Sequence, residues 1–503
     1  MTVTASGRIA LTTVSFGAAL LLLGSVGISS TLTESALWQS IPANTATNGS
    51  SPANDLMGSG DWPTYLENPN RTSSNLAEKT LSSSNAPKLK KLWVFNTSGV
   101  ISGSTTVVGN VAYVGSWNGF EYALNASTGE LVWATFLGNT SSATCPGTHG
   151  IASSATVEDG NLYIGGGDGY FYVVNAATGV VEWRVLVGPP SMGYYNWASP
   201  LLYDGFAYVG VASYCDKPLV PGGLLQINLT SELIQNEFHT TASGVLGSSV
   251  WGSPSVDART NTVFFATGNN YPSNPGGFAD SVIAVNASNV SKLVSSWSIP
   301  LKQQITDGDF GSSATLFNLP NGTTMMGALD KNGYFYAFYA ANLSWGPAWA
   351  DKVTTGQSVG SAAFGQGLVY VAAGTATYNG IRSSGAAWAL DPNNGSVVWE
   401  QTLWGKSVSA PAYANGILFV DGAKYIFVLN ATTGHKLKEL GCHNTFYSPP
   451  AIAHGRIFAG CTNGQEFAYG IPALLGPVAS GPVAGSPTSG LALSAPIGLA
   501  RWV

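Results

Sequence analysis

Charged residues are scarce in this chain. Of its 503 residues only 9% are Asp, Glu, Lys or Arg, and the 20 basic and 26 acidic side chains leave a formal net charge of −6. The chain has no run of basic residues, so it lacks the electrostatic footprint of a nucleic-acid-binding protein. Sustained apolar stripes at helical spacing are also missing, which argues against a helical bundle. We expect no nucleic-acid partner.

One uncharged apolar run stands near the start, 9-IALTTVSFGAALLLLGSVGIS-29, after Arg8. Such a run suits a signal peptide and is also long enough for one membrane span. It has no clean small-x-small cleavage site, so residues 1–30 are either a signal peptide or an N-terminal membrane anchor. Residues 31–60 form a Ser/Thr/Asn-rich linker, and 473–503 a Pro/Gly/Ser/Ala-rich tail. We expect an extracytoplasmic protein, secreted or tethered through its N-terminal segment.

Cysteine is rare as well, with four residues in the chain. No C-x-x-C or His-rich spacing occurs, so a zinc site is not indicated, and Cys442-His443 lacks the C-x-x-C-H that attaches haem. An even number of cysteines in an exported chain predicts disulfides. Three pairings are possible. We favour Cys442 with Cys461, which would join the last two repeats, and Cys145 with Cys215.

The chain does contain an internal repeat. Three segments share the order strand, glycine turn, strand, tight turn, strand: 112-AYVGSWNGFEYALNASTGELVW-133, 162-LYIGGGDGYFYVVNAATGVVEW-183 and 369-VYVAAGTATYNGIRSSGAAWALDPNNGSVVW-399. Alternating apolar and aromatic residues mark the strands, and Gly and Asn supply the positive φ of the turns. In each copy a Trp follows four residues after the turn glycine, as in Gly129 with Trp133, Gly179 with Trp183 and Gly395 with Trp399.

This repeat predicts an all-β, eight-bladed β-propeller over residues 61–472. Repeats of about 40 to 60 residues that carry several short strands must stack on their neighbours to bury a face. A sandwich or a β-helix fits that length less well. Large aromatic side chains chiefly serve packing, so we expect most repeat tryptophans to wedge between blades. Eight positions each mark one predicted blade: Trp93, Trp133, Trp183, the stretch near Leu233, Trp297, Trp349, Trp399 and Lys438.

Asparagine is frequent where turns are predicted. Twelve Asn-x-Ser/Thr sequons would permit glycosylation, among them Asn125, Asn139, Asn286, Asn394 and Asn430. Asn also stands where a turn Asp is expected, at Asn125, Asn175 and Asn430. An amide keeps its hydrogen-bonding role when carboxylates become protonated. The sparse charge and these asparagines lead to the hypothesis that the protein works in an acidic exterior.

The start of the repeat region carries a family resemblance. Gly60-Asp61-Trp62-Pro63, Asn70-Arg71-Thr72 and the turn-plus-Trp repeats resemble the pyrroloquinoline quinone (PQQ) propellers, including the polyvinyl alcohol and methanol dehydrogenases. The resemblance covers most of residues 61–470. Non-catalytic relatives such as the outer-membrane assembly lipoproteins share this scaffold, so the scaffold alone does not imply an activity.

More specific motifs follow in 250-VWGSPSVDARTNTVFFATGNNYP-272. This stretch resembles the family segment in which a Trp forms the floor under the quinone and an Asn binds calcium. The resemblance implies those roles for Trp251 and Asn269. An aromatic face suits a flat, electron-poor cofactor, and an amide oxygen suits a hard cation. Taken singly, a core Trp and a turn Asn remain the simpler interpretations.

Two further segments, 306-TDGDFGSSATLF-317 and 330-DKNGYFYAF-338, resemble the family's acidic loop and its D-[RK]-N-G strand. The match implies that Asp309 is the general base and a calcium neighbour, and that Lys331 binds the quinone oxygens. Oxidising an alcohol requires a carboxylate within reach of the hydroxyl proton as hydride leaves carbon. The structural alternative is a polar loop shaped by Asp307 and Asp309, with Lys331 solvated.

Weaker matches imply three more residues. Asp216 in 212-ASYCDKP-218 lies about one residue from the family's acidic calcium ligand. Trp404, before 413-YANGILFV-420, resembles a Trp that packs near the cofactor. His149 in 145-CPGTHG-150 falls near an Arg that contacts the quinone carboxylates, and a loop histidine is an equal alternative.

One departure concerns cysteine. Methanol dehydrogenases have two adjacent cysteines against the upper face of the cofactor, whereas here Cys145 stands alone before Pro146. The upper lid is therefore missing or differently built, and the polyvinyl alcohol dehydrogenases are the closer comparison. The resemblance implies PQQ- and Ca²⁺-dependent oxidation of an alcohol, with a separate electron acceptor. The alternatives are a catalytically silent propeller that binds partner proteins or cell-surface polymer, and a sugar dehydrogenase with the same cofactor.

Overall fold

The computed structural model describes residues 60–269, 277–356, 358–378 and 381–475. The predicted signal or anchor segment 1–30, the linker up to residue 59 and the tail from residue 476 lie outside these ranges. Within them, no helix has both the length and the apolarity needed to cross a membrane. The tether, linker and tail therefore stay predictions.

Strands dominate the described residues. In chain order they begin with β1 (Ser74–Asn75), β2 (Lys90–Asn96), β3 (Thr106–Val108), β4 (Val111–Gly115), β5 (Phe120–Asn125), β6 (Leu131–Phe136), β7 (Thr140–Ser142), β8 (Cys145–His149), β9 (Thr156–Glu158), β10 (Asn161–Gly165), β11 (Tyr170–Asn175), β12 (Val181–Leu186), β13 (Tyr194–Tyr195), β14 (Leu201–Tyr203), β15 (Phe206–Ser213), β16 (Gly223–Asn228), β17 (Leu233–His239) and β18 (Ser255–Asp257). They continue as β19 (Thr262–Ala266), β20 (Ser281–Asn286), β21 (Asn289–Ser298), β22 (Thr315–Asn318), β23 (Thr324–Leu329), β24 (Tyr334–Tyr339), β25 (Trp349–Lys352), β26 (Ala363–Gly365), β27 (Leu368–Tyr378), β28 (Ile381–Leu390), β29 (Val397–Leu403), β30 (Ala412–Ala414), β31 (Ile417–Gly422), β32 (Tyr425–Asn430), β33 (Lys436–Gly441), β34 (Ala451–Ala453), β35 (Arg456–Gly460) and β36 (Gln465–Gly470). Short 3-10 helices occupy Ala86–Lys88, Pro190–Met192, Leu343–Trp345 and Pro472–Leu474.

These strands form the predicted eight-bladed β-propeller. Seven blades follow the chain, as β3–β6, β9–β12, β14–β17, β18–β21, β22–β25, β26–β29 and β30–β33. In the eighth, β34, β35 and β36 are completed by β2, which pairs antiparallel with β36. The start and the end of the repeat region thus share one blade, and this shared blade closes the ring. Strands β7 and β8 form a separate hairpin between the first two blades.

Burial explains the strand sequences. An inner strand such as β31 is buried at every residue, because both of its faces meet neighbouring blades. An outermost strand such as β6 exposes Leu131 and Val132 and buries Trp133 against the next blade. The near-continuous apolar runs of inner strands and the mixed pattern of outer strands therefore follow from position in the blade.

The repeated Gly and Trp positions contact each other across blade boundaries. The indole N–H of Trp133 donates to the carbonyl of Ala176 at 3.0 Å, and that of Trp93 to Ala126 at 3.1 Å. A Cβ added at Gly179 would lie 2.7 Å from the Trp133 ring. The turn glycine of each such blade is thus needed both for its positive φ and for the tryptophan of the preceding blade. These tryptophans pack between blades, as the sequence predicted.

The segment from Trp62 to Asn75 crosses the innermost strands of seven blades. Its backbone pairs with residues in the middle of those strands, namely Val107, Val157, Val256, Leu316, Phe364 and Tyr413, and the Asn75 side chain donates to the Ile452 carbonyl. The fully buried Arg71 donates hydrogen bonds to the carbonyls of Tyr65, Pro200 and Pro254. A segment that meets the inner strands around the ring lies across the propeller axis. This placement accounts for the Trp and Arg motifs of the N-terminal stretch.

Candidate functional site

A cavity of about 370 Å³ lies on the axis beyond this segment. Its walls come mainly from the loops that enter the innermost strand of each blade and from loops between second and third strands, while Tyr65 of the N-terminal segment also borders it. Ten of the lining residues are serines: Ser102, Ser153, Ser154, Ser199, Ser213, Ser249, Ser253, Ser313, Ser361 and Ser409. The cavity is therefore rich in hydroxyl groups.

Some of these serines form a ladder from blade to blade. The backbone N–H of Ser154 donates to Ser199 Oγ at 2.8 Å, and Ser199, Ser253 and Ser313 continue to the next serine at 2.9 Å each, ending at Ser361. The hydroxyls of Ser199, Ser253, Ser313 and Ser361 are each held by a backbone N–H of the neighbouring blade, which fixes their positions in the wall. This serine ladder was not predicted from the sequence, although aligning the residues just before each innermost strand would have revealed it.

Four predicted site residues line this one cavity: Trp251, Asp309, Lys331 and Asp216. The Lys331 ammonium lies 5.6 Å from the centre of the Trp251 ring, within the range of a cation–π contact. The same ammonium donates hydrogen bonds to Asp309 Oδ2 and, at 3.2 Å, to Asp307 Oδ1. Loops of three different blades contribute these groups, so only the closed ring brings them together.

Asp309 is deeply buried, with 4% of its surface exposed. Its Oδ1 accepts the backbone N–H of Asn269 at 2.6 Å. Burial raises the pKa of Asp309 to about 6, although Lys331 and the Asn269 N–H favour the charged form. Burial also disfavours the charge on Lys331, but its ion pairs with Asp309 and Asp307 outweigh burial and raise its pKa. Asp309 is therefore a carboxylate at neutral pH with a basicity above that of an ordinary Asp.

Two glycines make room for these side chains. A Cβ at Gly268 would lie 2.2 Å from Asp309 Oδ1, and a Cβ at Gly311 would lie 2.6 Å from the Trp251 ring. Real Cβ atoms do not approach other atoms so closely. The glycines in the 250–272 and 306–317 motifs therefore allow Asp309 and Trp251 their positions.

Two further carboxyl groups lie behind Asp309. Asp280 and Asp330 are both buried, and each has one oxygen with no hydrogen-bond partner of its own. Burial raises the pKa of both side chains, and repulsion from Asp309 adds to the effect. Asp280 also raises the pKa of Asp330, whereas the hydrogen bond between the two carboxyl groups lowers that of Asp280. Neither residue was predicted as a site residue from the sequence, because neither lies in a motif position with an assigned role.

The three residues predicted as calcium ligands do not all line the cavity. Asp309 and Asp216 line the cavity, whereas Asn269 lies beside it and contacts Asp309 through its backbone. Burial raises the pKa of Asp216, Lys331 lowers it and Asp307 raises it. Among the described residues, no group of three or more His, Cys, Asp or Glu side chains is arranged to hold a metal ion. Any cation here would need neutral oxygens in addition to carboxylates.

Comparison with known proteins places the chain in a family. A family model, PQQ_2, described as outer membrane protein assembly factor BamB, matches residues 77–317 and 336–465. The match spans most of the propeller. The chain belongs to this PQQ propeller family.

Two curated relatives of this PQQ propeller are dehydrogenases. A polyvinylalcohol dehydrogenase from Sphingopyxis sp. (strain 113P3) is 23% identical over 433 residues, which cover 76% of this chain and 61% of that protein. A polyvinylalcohol dehydrogenase from Pseudomonas sp is 23% identical over 403 residues, or 69% of this chain and 61% of the relative. The chain thus matches less than two thirds of the length of these relatives.

Solved structures agree on the fold of this PQQ propeller. Quinohemoprotein alcohol dehydrogenase ADHIIG from Pseudomonas putida HK5 has a TM-score of 0.70 at 16% identity, covering 83% of this chain and 81% of that one. A europium-containing methanol dehydrogenase has a TM-score of 0.71 at 15% identity, and the match covers 83% of this chain and 99% of that one. BamB from Moraxella catarrhalis has a TM-score of 0.55 at 14% identity, and the match covers 76% of this chain and 99% of that one. At these identities the likeness concerns architecture alone.

Two predicted cofactor contacts of this PQQ propeller are not brought to the cavity. Trp404 is 64% exposed and packs edge-on against Tyr425 and Phe427, with the Lys436 ammonium 4.7 Å from its ring centre. It directly follows the outer strand β29, and Val408 of the same loop lines the cavity whereas Trp404 does not. The contact of Trp404 with the cofactor therefore stays a prediction from the resemblance, for a residue that does not line this cavity.

The second of these residues is His149. It is 5% exposed and does not line the cavity. Its ring lies 4.1 Å from that of Trp117, and its Nδ1 shares a hydrogen bond of 2.8 Å with the Tyr214 hydroxyl. Burial lowers the pKa of His149, so this imidazole is neutral at neutral pH and cannot replace the charge of an arginine.

Both favoured cysteine pairings of this PQQ propeller are present. Cys442 bonds to Cys461 and Cys145 bonds to Cys215. Cys215 also lines the cavity, next to Asp216. The cavity wall therefore contains a disulfide between distant residues where the sequence lacks an adjacent pair.

Proposed function

We propose that this protein oxidises an alcohol by transferring hydride to PQQ with the help of Ca²⁺, outside the cytoplasmic membrane. The observation that carries the proposal is the convergence of Trp251, Asp309, Lys331 and Asp216 on one axial cavity. The polyvinylalcohol dehydrogenase names of the curated relatives support an alcohol as substrate. In the absence of a haem-attachment motif in this chain, electrons would pass to a separate acceptor.

The residues present suit a flat, anionic quinone. The cavity volume of about 370 Å³ is in the range of small-molecule sites. Trp251 offers an aromatic face, Lys331 a cation, and the serine wall hydroxyl donors for carboxylates and carbonyls. The quinone would be the hydride acceptor of the reaction when bound. In this proposal Trp251 and Lys331 hold it.

The oxygen atoms near Asp309 suit a calcium ion chemically. Carboxylate oxygens come from Asp309 and Asp216, and an amide oxygen is available on Asn269, as Ca²⁺ prefers. Serine hydroxyls or the cofactor itself would have to complete the ligand set, because the carboxylates are few. We propose Asn269, Asp309 and Asp216 as the protein ligands.

Asp309 is the proposed general base. Its carboxylate borders the cavity and has a pKa raised by burial to about 6. A base of that strength is ionised at neutral pH and accepts a hydroxyl proton better than an exposed Asp does. Lys331 stabilises negative charge that develops beside it, since its ammonium donates to Asp309 and faces Trp251. The buried setting excludes much of the water that would weaken both effects.

Reconstitution tests the proposal. Purified apo-protein is mixed with PQQ and Ca²⁺, and quinone absorbance and dye reduction are followed with primary, secondary and polymeric alcohols. We expect an absorbance change and alcohol-dependent dye reduction, and Asp309→Asn should lower turnover by about a hundredfold or more. Asp391→Asn is the matched control, because Asp391 accepts a turn N–H where other blades use Asn. Unchanged turnover in Asp309→Asn would exclude Asp309 as the base.

A non-catalytic scaffold is the second candidate. It is favoured by the matching family model, whose description is an assembly factor, and by the structural likeness to BamB. Such a protein would give neither cofactor absorbance nor dye reduction in the reconstitution. Aldoses tested beside the alcohols separate a sugar dehydrogenase from an alcohol dehydrogenase.

A further inference from the structure

The Cys145–Cys215 disulfide reaches the cavity from outside. Cys215 is exposed and lines the cavity, whereas Cys145 is 2% exposed. Cys145 begins strand β8 of the hairpin between the first two blades, and Cys215 lies in the loop between β15 and β16 of the third blade. The bond therefore joins a hairpin that belongs to no blade to a loop that forms part of the cavity wall.

Two hydrogen bonds also connect the hairpin to this loop. The Thr144 hydroxyl donates to the Lys217 carbonyl at 2.7 Å, and His149 Nδ1 shares a hydrogen bond with the Tyr214 hydroxyl at 2.8 Å. Cys145 packs in a cluster with Tyr195 and Tyr214, against which the cavity residue Trp197 also packs. The hairpin thus holds the loop on both sides of Cys215 and supports a second aromatic wall of the cavity.

The loop has physical reasons to move away if released. Cys215 and Asp216 have φ angles of 55° and 56°, in the left-handed region that L side chains rarely adopt. The Asp216 carboxylate borders the cavity. Such a backbone persists where tertiary contacts hold it, and here the disulfide and the hydrogen bonds of Lys217 and Tyr214 to the hairpin are contacts of that kind.

We propose that the Cys145–Cys215 disulfide is a positioning element that holds the Asp216 carboxylate at the cavity and thereby strengthens cation binding there. The proposal rests on the proposed function for the identity of the cation. His149 and Tyr214 serve the same purpose through their hydrogen bond. This role gives the hairpin, which adds nothing to any blade, a function in the site.

The test compares two disulfides in the full-length protein. The variant Cys145→Ser/Cys215→Ser removes the bond at the cavity. The matched control, Cys442→Ser/Cys461→Ser, removes the other bond, whose cysteines do not line the cavity. Hydrogen exchange of the backbone amides of residues 212–220 measures how readily the loop opens, and it needs no ligand. Titration with Tb³⁺, sensitised by tryptophan and competed with Ca²⁺, measures cation affinity.

We expect faster exchange of the loop and a loss of Tb³⁺ affinity of about tenfold in the cavity variant, and neither change in the control. Combined with Asp216→Asn, the cavity variant should cause little additional loss, because both changes act through one carboxylate. Equal exchange in both disulfide variants would overturn the proposal, and so would additive losses. If wild-type protein binds no Tb³⁺ while the loop still loosens in the cavity variant alone, the calcium part of the proposed function fails and the positioning role stands.

Discussion

The Lys331 ammonium donates a hydrogen bond to the Asp309 carboxylate, and the backbone N–H of Lys331 donates to the Asp309 carbonyl at 2.9 Å. The two residues are thus joined through both side chain and main chain, although they belong to different loops. The backbone bond holds the two loops side by side, within reach of the ammonium. This relationship makes the basicity of Asp309 depend on Lys331.

Replacing Lys331 should therefore change the pH dependence of the reaction. In Lys331→Met, the cation that lowers the pKa of Asp309 is gone while burial still raises it. The pKa of Asp309 should rise above about 6, and the acid limb of the kcat/KM profile should shift to higher pH. Steady-state rates between pH 4 and pH 9 measure this. Lys352→Met, on the outer strand β25, should leave the profile in place, and an unshifted limb in Lys331→Met would contradict the coupling.

Trp251 should determine quinone affinity. Removing the ring in Trp251→Ala should weaken PQQ binding by about tenfold or more, while Trp251→Phe should retain part of the stacking surface. Fluorescence and absorbance titrations of the apo-protein with PQQ measure the affinity. Trp404→Ala is the informative comparison, because the resemblance assigned Trp404 to the cofactor and the structure exposes it. Equal losses in Trp251→Ala and Trp404→Ala would favour the sequence-based assignment over the structural one.

Gly311 should not tolerate even one additional methyl group. In Gly311→Ala the new Cβ would meet the Trp251 ring at 2.6 Å, so ring or backbone must shift. We expect a loss of about 1–3 kcal/mol in the free energy of unfolding, together with weaker PQQ binding. Urea unfolding and PQQ titration are the measurements. At Gly441 the nearest atom would be 3.6 Å away, so Gly441→Ala should change neither quantity appreciably.

Stability should increase toward acidic pH. Burial raises the pKa of Glu466 to about 8 and that of Glu121 well above its ordinary value. In the unfolded chain a Glu titrates at about 4.3, so between that pH and the folded pKa only the folded protein keeps these protons. The free energy of unfolding should then fall as pH rises, by about 1.4 kcal/mol per pH unit for each such group. For Glu466 this stabilisation is fully present below about pH 4 and lost above about pH 8.

Urea midpoints at pH 4.5, 6 and 8 check this expectation. The isosteric Glu466→Gln and Glu121→Gln variants should flatten the pH dependence, because they remove the titrating groups without changing shape. A wild-type protein that is most stable near pH 8 would contradict both this expectation and the hypothesis of an acidic exterior. The turn amides Asn125, Asn175 and Asn430, which accept backbone N–H bonds, should be indifferent to pH in this range.

The blade count could be predicted because each blade repeats the same local chemistry. The turn glycine and the tryptophan four residues later identify an outer strand wherever they occur, and Lys438 could be placed by its spacing alone. Both disulfides were anticipated, although sequence left three pairings open and only the folded chain joins Cys145 to Cys215. The serine ladder could not be predicted because serine is common in this chain. The hydrogen bonds that link these serines form only when neighbouring blades pack side by side.

The site separates the two kinds of information. Trp251, Asp309 and Lys331 were recognisable because each lies in a motif with its own glycines and neighbours. Trp404 and His149 do not line the cavity, because a match along the chain does not tell which residue of a loop reaches the axis. Closure of the ring by β2 and β36 decides that, since it fixes which loop atoms face inward. Local repeats in the sequence thus determined the blades, and the packing of distant blades around one axis decided which side chains share a cavity.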